Sequence, residues 1–80
     1  MNTNRKQEGG GAVTILGRDG CPFTRAARAA FAEQGRRVEY FSVRTNPEAK
    51  KRLLDLTGGA ARVPVIIDGD TVEVGWQGKW

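Results

Sequence analysis

The 80-residue chain is predicted to form a single α/β domain of element order βαβαββ with a mixed four-stranded sheet. Three observations predict it. Short β-prone runs alternate with helix-period segments over most of the sequence, the pattern of parallel strands joined by crossover helices. The last two strand-like runs are separated only by Asp68-Gly69-Asp70, a hairpin turn that makes the end of the sheet antiparallel. A chain this short buries roughly 60% of the surface its unfolded form exposes, which leaves room for one small core.

Met1 to Gly11 is polar and ends in Gly9-Gly10-Gly11, so residues 1–11 are expected to be a flexible leader and 12–80 the folded domain. Ala12-Val13-Thr14-Ile15-Leu16 is the first strand, stopped by Gly17. From Pro22 to Gln34, Phe23, Ala27, Ala30 and Phe31 recur on one helical face, with Arg25, Arg28 and Glu33 mostly off it and Gly35 as the stop. Val38 to Val43 is the second strand, and because a helix precedes it, it is expected to run parallel to the first. Asn46-Pro47-Glu48 supplies an N-cap, a proline at the first helical position and a first-turn acid. Ala49, Leu53 and Leu56 continue that helix until Gly58-Gly59. Val63-Pro64-Val65-Ile66-Ile67 is apolar enough for a buried strand, and its proline requires either an edge position or a special peptide geometry such as a cis bond. Thr71 to Val74 closes the sheet, with Val72 and Val74 alternating against Thr71 and Glu73.

The composition narrows the function classes. One cysteine allows no disulfide within the chain, and without histidine a self-contained zinc site is not expected. No apolar run has the length to span a bilayer and the N-terminus has no signal-peptide core, so a soluble, cytoplasmic protein in a reducing compartment is expected. Thirteen Lys and Arg against nine acids give a net charge of +4, densest at Arg36-Arg37 and Lys50-Lys51-Arg52. Such pairs and triplets are mostly solvated helix faces and turns, and no RNA-reading aromatic motif accompanies them, so nucleic acid is not an expected partner.

Cys21 is the most informative residue. It opens Gly20-Cys21-Pro22-Phe23-Thr24, between the first strand and the first helix. A proline directly after it suits the first helical position and puts Cys21 at or near the N-cap. There the free N–H groups and positive dipole end favour thiolate over thiol, and Arg18 and Arg25 push the same way. A free cysteine is more often a small buried hydrophobe, but that role needs no Gly-Cys-Pro punctuation. A sharp strand-to-helix turn exposes a reactive side chain at a strand's carboxyl end. Thr24, three residues on, can donate a hydrogen bond to a thiolate but cannot close a disulfide, so the chemistry of this site is monothiol.

Arg18-x-x-Cys21-Pro22-Phe23-Thr24 after a strand, followed by the second strand and helix and then Arg62-Val63-Pro64-Val65-Ile66, resembles a glutaredoxin. The resemblance runs from Ala12 to about Gly75 and implies a thioredoxin-like (glutaredoxin) fold with no or minimal C-terminal helix. The Cys-Pro-Phe-Thr site and the ending Val74-Gly75-Trp76-x-Gly78 are most similar to short monothiol proteins of the (seleno)glutaredoxin type, some of which carry selenocysteine at the position of Cys21. The resemblance implies a thiol–disulfide oxidoreductase that reduces glutathione mixed disulfides, with Cys21, Pro22 and Thr24 as catalytic positions. It implies glutathione binding by Arg18, Arg62, Val63 and Pro64, with Pro64 in a cis peptide opposite Cys21 and the Val63 backbone pairing with the peptide part of the substrate. Glutathione enters as co-substrate, with no tightly bound cofactor and no metal.

Three departures qualify the transfer. Arg62 stands where glutaredoxins usually have threonine. The resolving cysteine is absent. The final helix, whose N-terminus holds a glutathione carboxylate in typical members, has no counterpart before Trp80. Trp76 and Trp80 are expected to cover part of the sheet face thus left open, or else to present an apolar patch to a second copy of the chain or to a client. The implied partners are glutathione or another low-molecular-weight thiol and glutathionylated protein clients, with a homodimer also open. Two other roles stay open: an iron–sulfur carrier in which two chains share a [2Fe-2S] cluster through Cys21 and glutathione, and a redox adaptor for one dedicated protein partner.

Overall fold

In the computed structural model, residues 12–80 are described, and the leader expected over 1–11 lies outside them. The elements are β1 (Val13–Gly17), α1 (Pro22–Glu33), β2 (Val38–Ser42), α2 (Pro47–Thr57), β3 (Val65–Asp68) and β4 (Thr71–Val74). They form one mixed sheet of order β2-β1-β3-β4. β1 pairs in parallel with β2, from Val13 opposite Val38 to Gly17 opposite Ser42. It pairs antiparallel with β3, Leu16 facing Val65, and β3 turns back into β4 through the two-residue loop after Asp68.

Strand alternation sends neighbouring side chains to opposite faces, and each face has its own core. Under α2, Leu16 and Val65 pack with Ala49, Leu53, Val63 and Cys21. Under α1, Val13, Ile15 and Ile66 pack with Ala27, and Phe31, Val38, Tyr40 and Trp76 close the edge of that cluster. Replacing Leu53, which is fully buried between α2 and the sheet, with alanine would cost about 2–5 kcal/mol.

The helix termini follow their residues. Pro22 and Pro47 occupy the first helical positions, and the Asn46 side chain accepts the Ala49 N–H at 3.1 Å. Leu56, which continues the helix with Ala49 and Leu53, is 37% exposed. Leu54 packs against the core instead, because α2 lies rotated so that its buried line runs through Ala49, Leu53 and Leu54.

Of the two options open for Pro64, the structure takes the second: β3 is an interior strand, and the Val63–Pro64 peptide immediately before it is cis. After β4, no helix follows among the described residues. The chain makes a tight turn in which Trp76 and Lys79 exchange backbone hydrogen bonds of 2.6 and 3.0 Å, with Gln77 and Gly78 both left-handed. Gly75 joins this turn to the cis-proline, its N–H donating to the Pro64 carbonyl at 2.6 Å. A Cβ on Gly75, whose φ is 88°, would stand 2.7 Å from the Lys79 carbonyl oxygen. Of the two tryptophans, Trp76 covers part of the sheet face, meeting Phe31 edge-on at 5.7 Å over the α1-side core, whereas Trp80 is 52% exposed.

Candidate active site

The loop from Arg18 to Gly20 leaves the carboxyl end of the central strand β1 and turns into α1. Its tight turn is closed by the Cys21 N–H donating to the Arg18 carbonyl at 3.1 Å. Cys21 is the N-cap of α1, with extended φ and ψ of −82° and 120°, and its carbonyl accepts the Arg25 N–H at 3.1 Å. Arg18, Asp19, Gly20 and Pro22 around it are exposed, but Cys21 itself is only 8% exposed and packs with Leu16, Leu53 and Val63. The turn exposes the residues flanking the thiol more than the thiol itself, because the α2-side core reaches up to the N-terminus of α1.

That partial burial pushes the Cys21 thiol up, yet its net pKa lies below the ordinary value of 9.0. The Thr24 N–H and hydroxyl, the Phe23 N–H and the Arg18 charge together outweigh desolvation. As a thiol the side chain makes no cap hydrogen bond, its weak S–H donation going to the Val63 carbonyl at 3.9 Å. The donors of the first helical turn therefore stabilise the thiolate specifically.

Thr24 is fully buried, and its hydroxyl also accepts the Arg18 N–H at 3.4 Å, so one side chain ties the loop to the thiol. It fits only because β1 ends in glycine. A Cβ on Gly17 would come within 2.6 Å of Thr24 Oγ1.

The contact between Cys21 Sγ and the Val63 carbonyl brings the two sequence motifs together across 42 residues. Val63 and Pro64 are buried, and the Val63 N–H has no backbone partner among the described residues. Beside them lies a cleft of about 440 Å³ whose walls include the cations Arg18, Arg44 and Lys50 and the apolar Val43, Leu53 and Val63. Arg62 is not part of this cleft: its guanidinium lies over the Trp80 ring, 4.5 Å from the centroid. Of the sequence-predicted residues, the structure thus gathers Arg18, Cys21, Thr24, Val63 and Pro64 and sets Arg62 to one side.

Arg44 and Lys50 were not singled out by sequence. A parallel β2 must end beside the loop that follows β1, so a cation just past its carboxyl end was a usable signal for Arg44. Lys50 was hidden in a run that reads as a solvated helix face.

Residues 13–72 match the family model described as Glutaredoxin. Among solved structures, the glutaredoxin-like protein NrdH-redoxin from Escherichia coli is 30% identical, with a TM-score of 0.71 over 82% of this chain and 84% of its own. A glutaredoxin from Brucella melitensis is 26% identical, with a TM-score of 0.63 over 81% of this chain and 70% of its own. The glutaredoxin from Archaeoglobus fulgidus, at 23% identity and a TM-score of 0.68 over 81% of this chain and 75% of its own, shares the fold. No curated protein matches the chain. With the family match spanning most of the sequence, and a thioredoxin-like sheet that sets an N-cap cysteine against a cis-proline, this chain belongs to the glutaredoxin family of redox proteins.

Proposed function

We propose that the protein is a monothiol thiol–disulfide oxidoreductase that reduces glutathione mixed disulfides through Cys21. The observation that carries this reading is a lone, thiolate-stabilised cysteine set against the cis Val63–Pro64 peptide and beside a cation-walled cleft. A cleft of about 440 Å³ suits a peptide-sized anion.

The Cys21 thiolate attacks the glutathione sulfur of the mixed disulfide. A bond forms between Cys21 Sγ and that sulfur as the old S–S bond breaks, and the substrate thiolate leaves and takes up a proton. A second glutathione thiolate then attacks the glutathione sulfur on Cys21, releasing glutathione disulfide and restoring the Cys21 thiolate. In the net change one free glutathione is oxidised as the substrate sulfur is reduced, and the other half of the glutathione disulfide is the glutathione that the substrate carried. Thr24 and the Phe23 and Thr24 N–H groups stabilise Cys21 as attacking and leaving thiolate, and Pro22 fixes the helix start that aims them. Val63 offers its free N–H to the peptide backbone of glutathione, Pro64 holds that edge in place, and Arg18 pairs with a carboxylate. Arg62 reaches the ligand only by leaving the Trp80 ring, so Arg44 and Lys50 take part of the carboxylate binding.

The test is steady-state reduction of a glutathionylated peptide with free glutathione, run beside Cys21→Ser. Turnover that vanishes with the serine is expected, and undiminished turnover in the variant would overturn the mechanism.

A second reading is favoured by one finding, the 30% identity to a protein described as glutaredoxin-like with a thioredoxin-like activity profile. In that reading Cys21 reduces the disulfide of a protein partner. Threonine at position 24 leaves the mixed disulfide to be resolved by an external thiol. Rapid exchange with a protein disulfide, alongside failure on the glutathionylated peptide, is the result that would select it.

A further inference from the structure

We propose that Tyr40 is a positioning residue for Cys21, which keeps the carboxylate of Asp19 on the α1 side of the sheet and away from the reactive sulfur. The proposal rests on the reading of Cys21 as the reactive thiol.

Asp19 is the acid nearest to Cys21 in sequence, two residues before it on an exposed loop. A carboxylate free to swing there would disfavour the thiolate that the helix end creates. The structure gives that carboxylate a fixed partner: the Tyr40 hydroxyl donates to Asp19 Oδ1 at 2.5 Å. Tyr40 and Cys21 stand on opposite faces of the sheet. Tyr40 edges the core under α1, whereas Cys21 packs into the core under α2 with Leu16, Leu53 and Val63. The hydrogen bond therefore draws Asp19 across the end of the sheet.

Tyr40 is itself held. The Arg28 guanidinium lies over its ring, 4.0 Å from the centroid, and burial first, then the bond to Asp19, raises its pKa to about 12. It remains a proton donor at every physiological pH. Ser42, one strand position beyond Phe41, adds a hydrogen bond to the same hydroxyl.

The other charged groups at this end are Arg18 on the loop, Arg25 on α1, Arg44 after β2, Glu48 and Lys50 on α2, and Arg62 before Val63. Of these, Arg18 lowers the pKa of the thiol through its charge.

The experiment is the pH dependence of iodoacetamide alkylation of Cys21, at low ionic strength, in the native chain, Tyr40→Phe, Asp19→Asn and the double variant. Tyr40→Phe removes one hydroxyl and keeps the ring under Arg28. It is expected to alkylate roughly three-fold more slowly than the native chain at pH 7, by raising the pH of half-maximal reaction. Salt should shrink that difference. In the double variant, which has no carboxylate to misplace, the native profile should return, and Asp19→Asn alone should keep it. An unmoved Tyr40→Phe profile overturns the proposal, as does a double variant that stays slow, because a packing defect would not be rescued at Asp19. A native thiol that titrates like free cysteine would overturn the proposal together with the activated-thiol reading on which it rests.

Discussion

The two ends of the sheet use positive charge in opposite ways. At the end away from the thiol, Arg36 grips Asp68 through two hydrogen bonds of 2.8 and 3.3 Å, and Arg37 pairs with Glu39 at 3.0 Å. Those are the ion pairs among the described residues. At the thiol end, Arg18, Arg44 and Lys50 line a cleft, and none of them has an ion-pair partner among the described residues. A cation neutralised by a neighbour stabilises structure. One left unpaired beside a low-dielectric wall projects a field that attracts anions and favours a thiolate.

Among changes that separate the two ends, the largest effect should come from filling the space between β1 and Thr24. Gly17→Ala drives a methyl into Thr24 Oγ1 at 2.6 Å, and the atoms it meets belong to a fully buried side chain with no room to move. The expected cost is about 1–3 kcal/mol of stability, measured by chemical denaturation. Cys21 alkylation at pH 7 should fall along with it, since Thr24 supplies the main interactions that favour the thiolate. A destabilised variant with native alkylation would show that Thr24 is structural only.

Next in size is the loss of an unpaired cation. Arg18→Ala should raise KM for a glutathionylated peptide roughly ten-fold, the loss of one charge-assisted contact, and change kcat less. Arg44→Ala and Lys50→Ala should act in the same direction, more weakly. Raising ionic strength should lower kcat/KM of the native chain and flatten all three differences. Equal salt sensitivity for an uncharged disulfide substrate would break the contrast between the two ends.

The thiol's own titration sharpens the comparison further. Its pKa is lowered in the folded chain, so thiolate persists below the range where an unfolded chain has lost it. Half-maximal alkylation should therefore fall below pH 9.0 when folded and return towards that value in denaturant. By linkage, this group's stabilisation is complete above the unfolded pKa and is lost as pH falls through the folded one.

How much of this was legible in the sequence depended on whether the signal was local. Cys21 at the N-cap, Pro22 and Pro47 at the helix starts and Asn46 as a cap follow from contacts within three or four residues, and the chain places them as read. The cis geometry before Val65 was one of two options that chain chemistry allowed, and the interior position of β3 selects it. The burial of Cys21, the seat of Arg62 on Trp80 and the bond from Tyr40 to Asp19 were not legible. The first two depend on how far α2 or the last turn reaches over the sheet, and the third on where the loop after β1 falls against β2, packing distances that no residue pattern encodes. The exposure of Leu56 was not legible for the same reason, since periodicity fixes which residues align but not the rotation of the helix on the sheet.

The smallest expected effect lies at the far end, where charge is already neutralised. Arg36→Ala removes the link between the turn after α1 and the β3–β4 hairpin. The pair is partly open to water, with side-chain exposures of 18% for Arg36 and 42% for Asp68, so screening limits its contribution. A fall of a few degrees in Tm at neutral pH is expected, with kcat, KM and the Cys21 alkylation profile unchanged. The Arg36 hydrogen bond holds the Asp68 carboxyl below its ordinary value of 3.8. The stability difference between native chain and variant should therefore be constant above that pH and shrink as pH falls through the folded pKa, when Asp68 takes up its proton. A shift in the alkylation profile of Arg36→Ala would mean that the far end does not act as a separate structural clamp, and that charge anywhere on the sheet reaches the thiol.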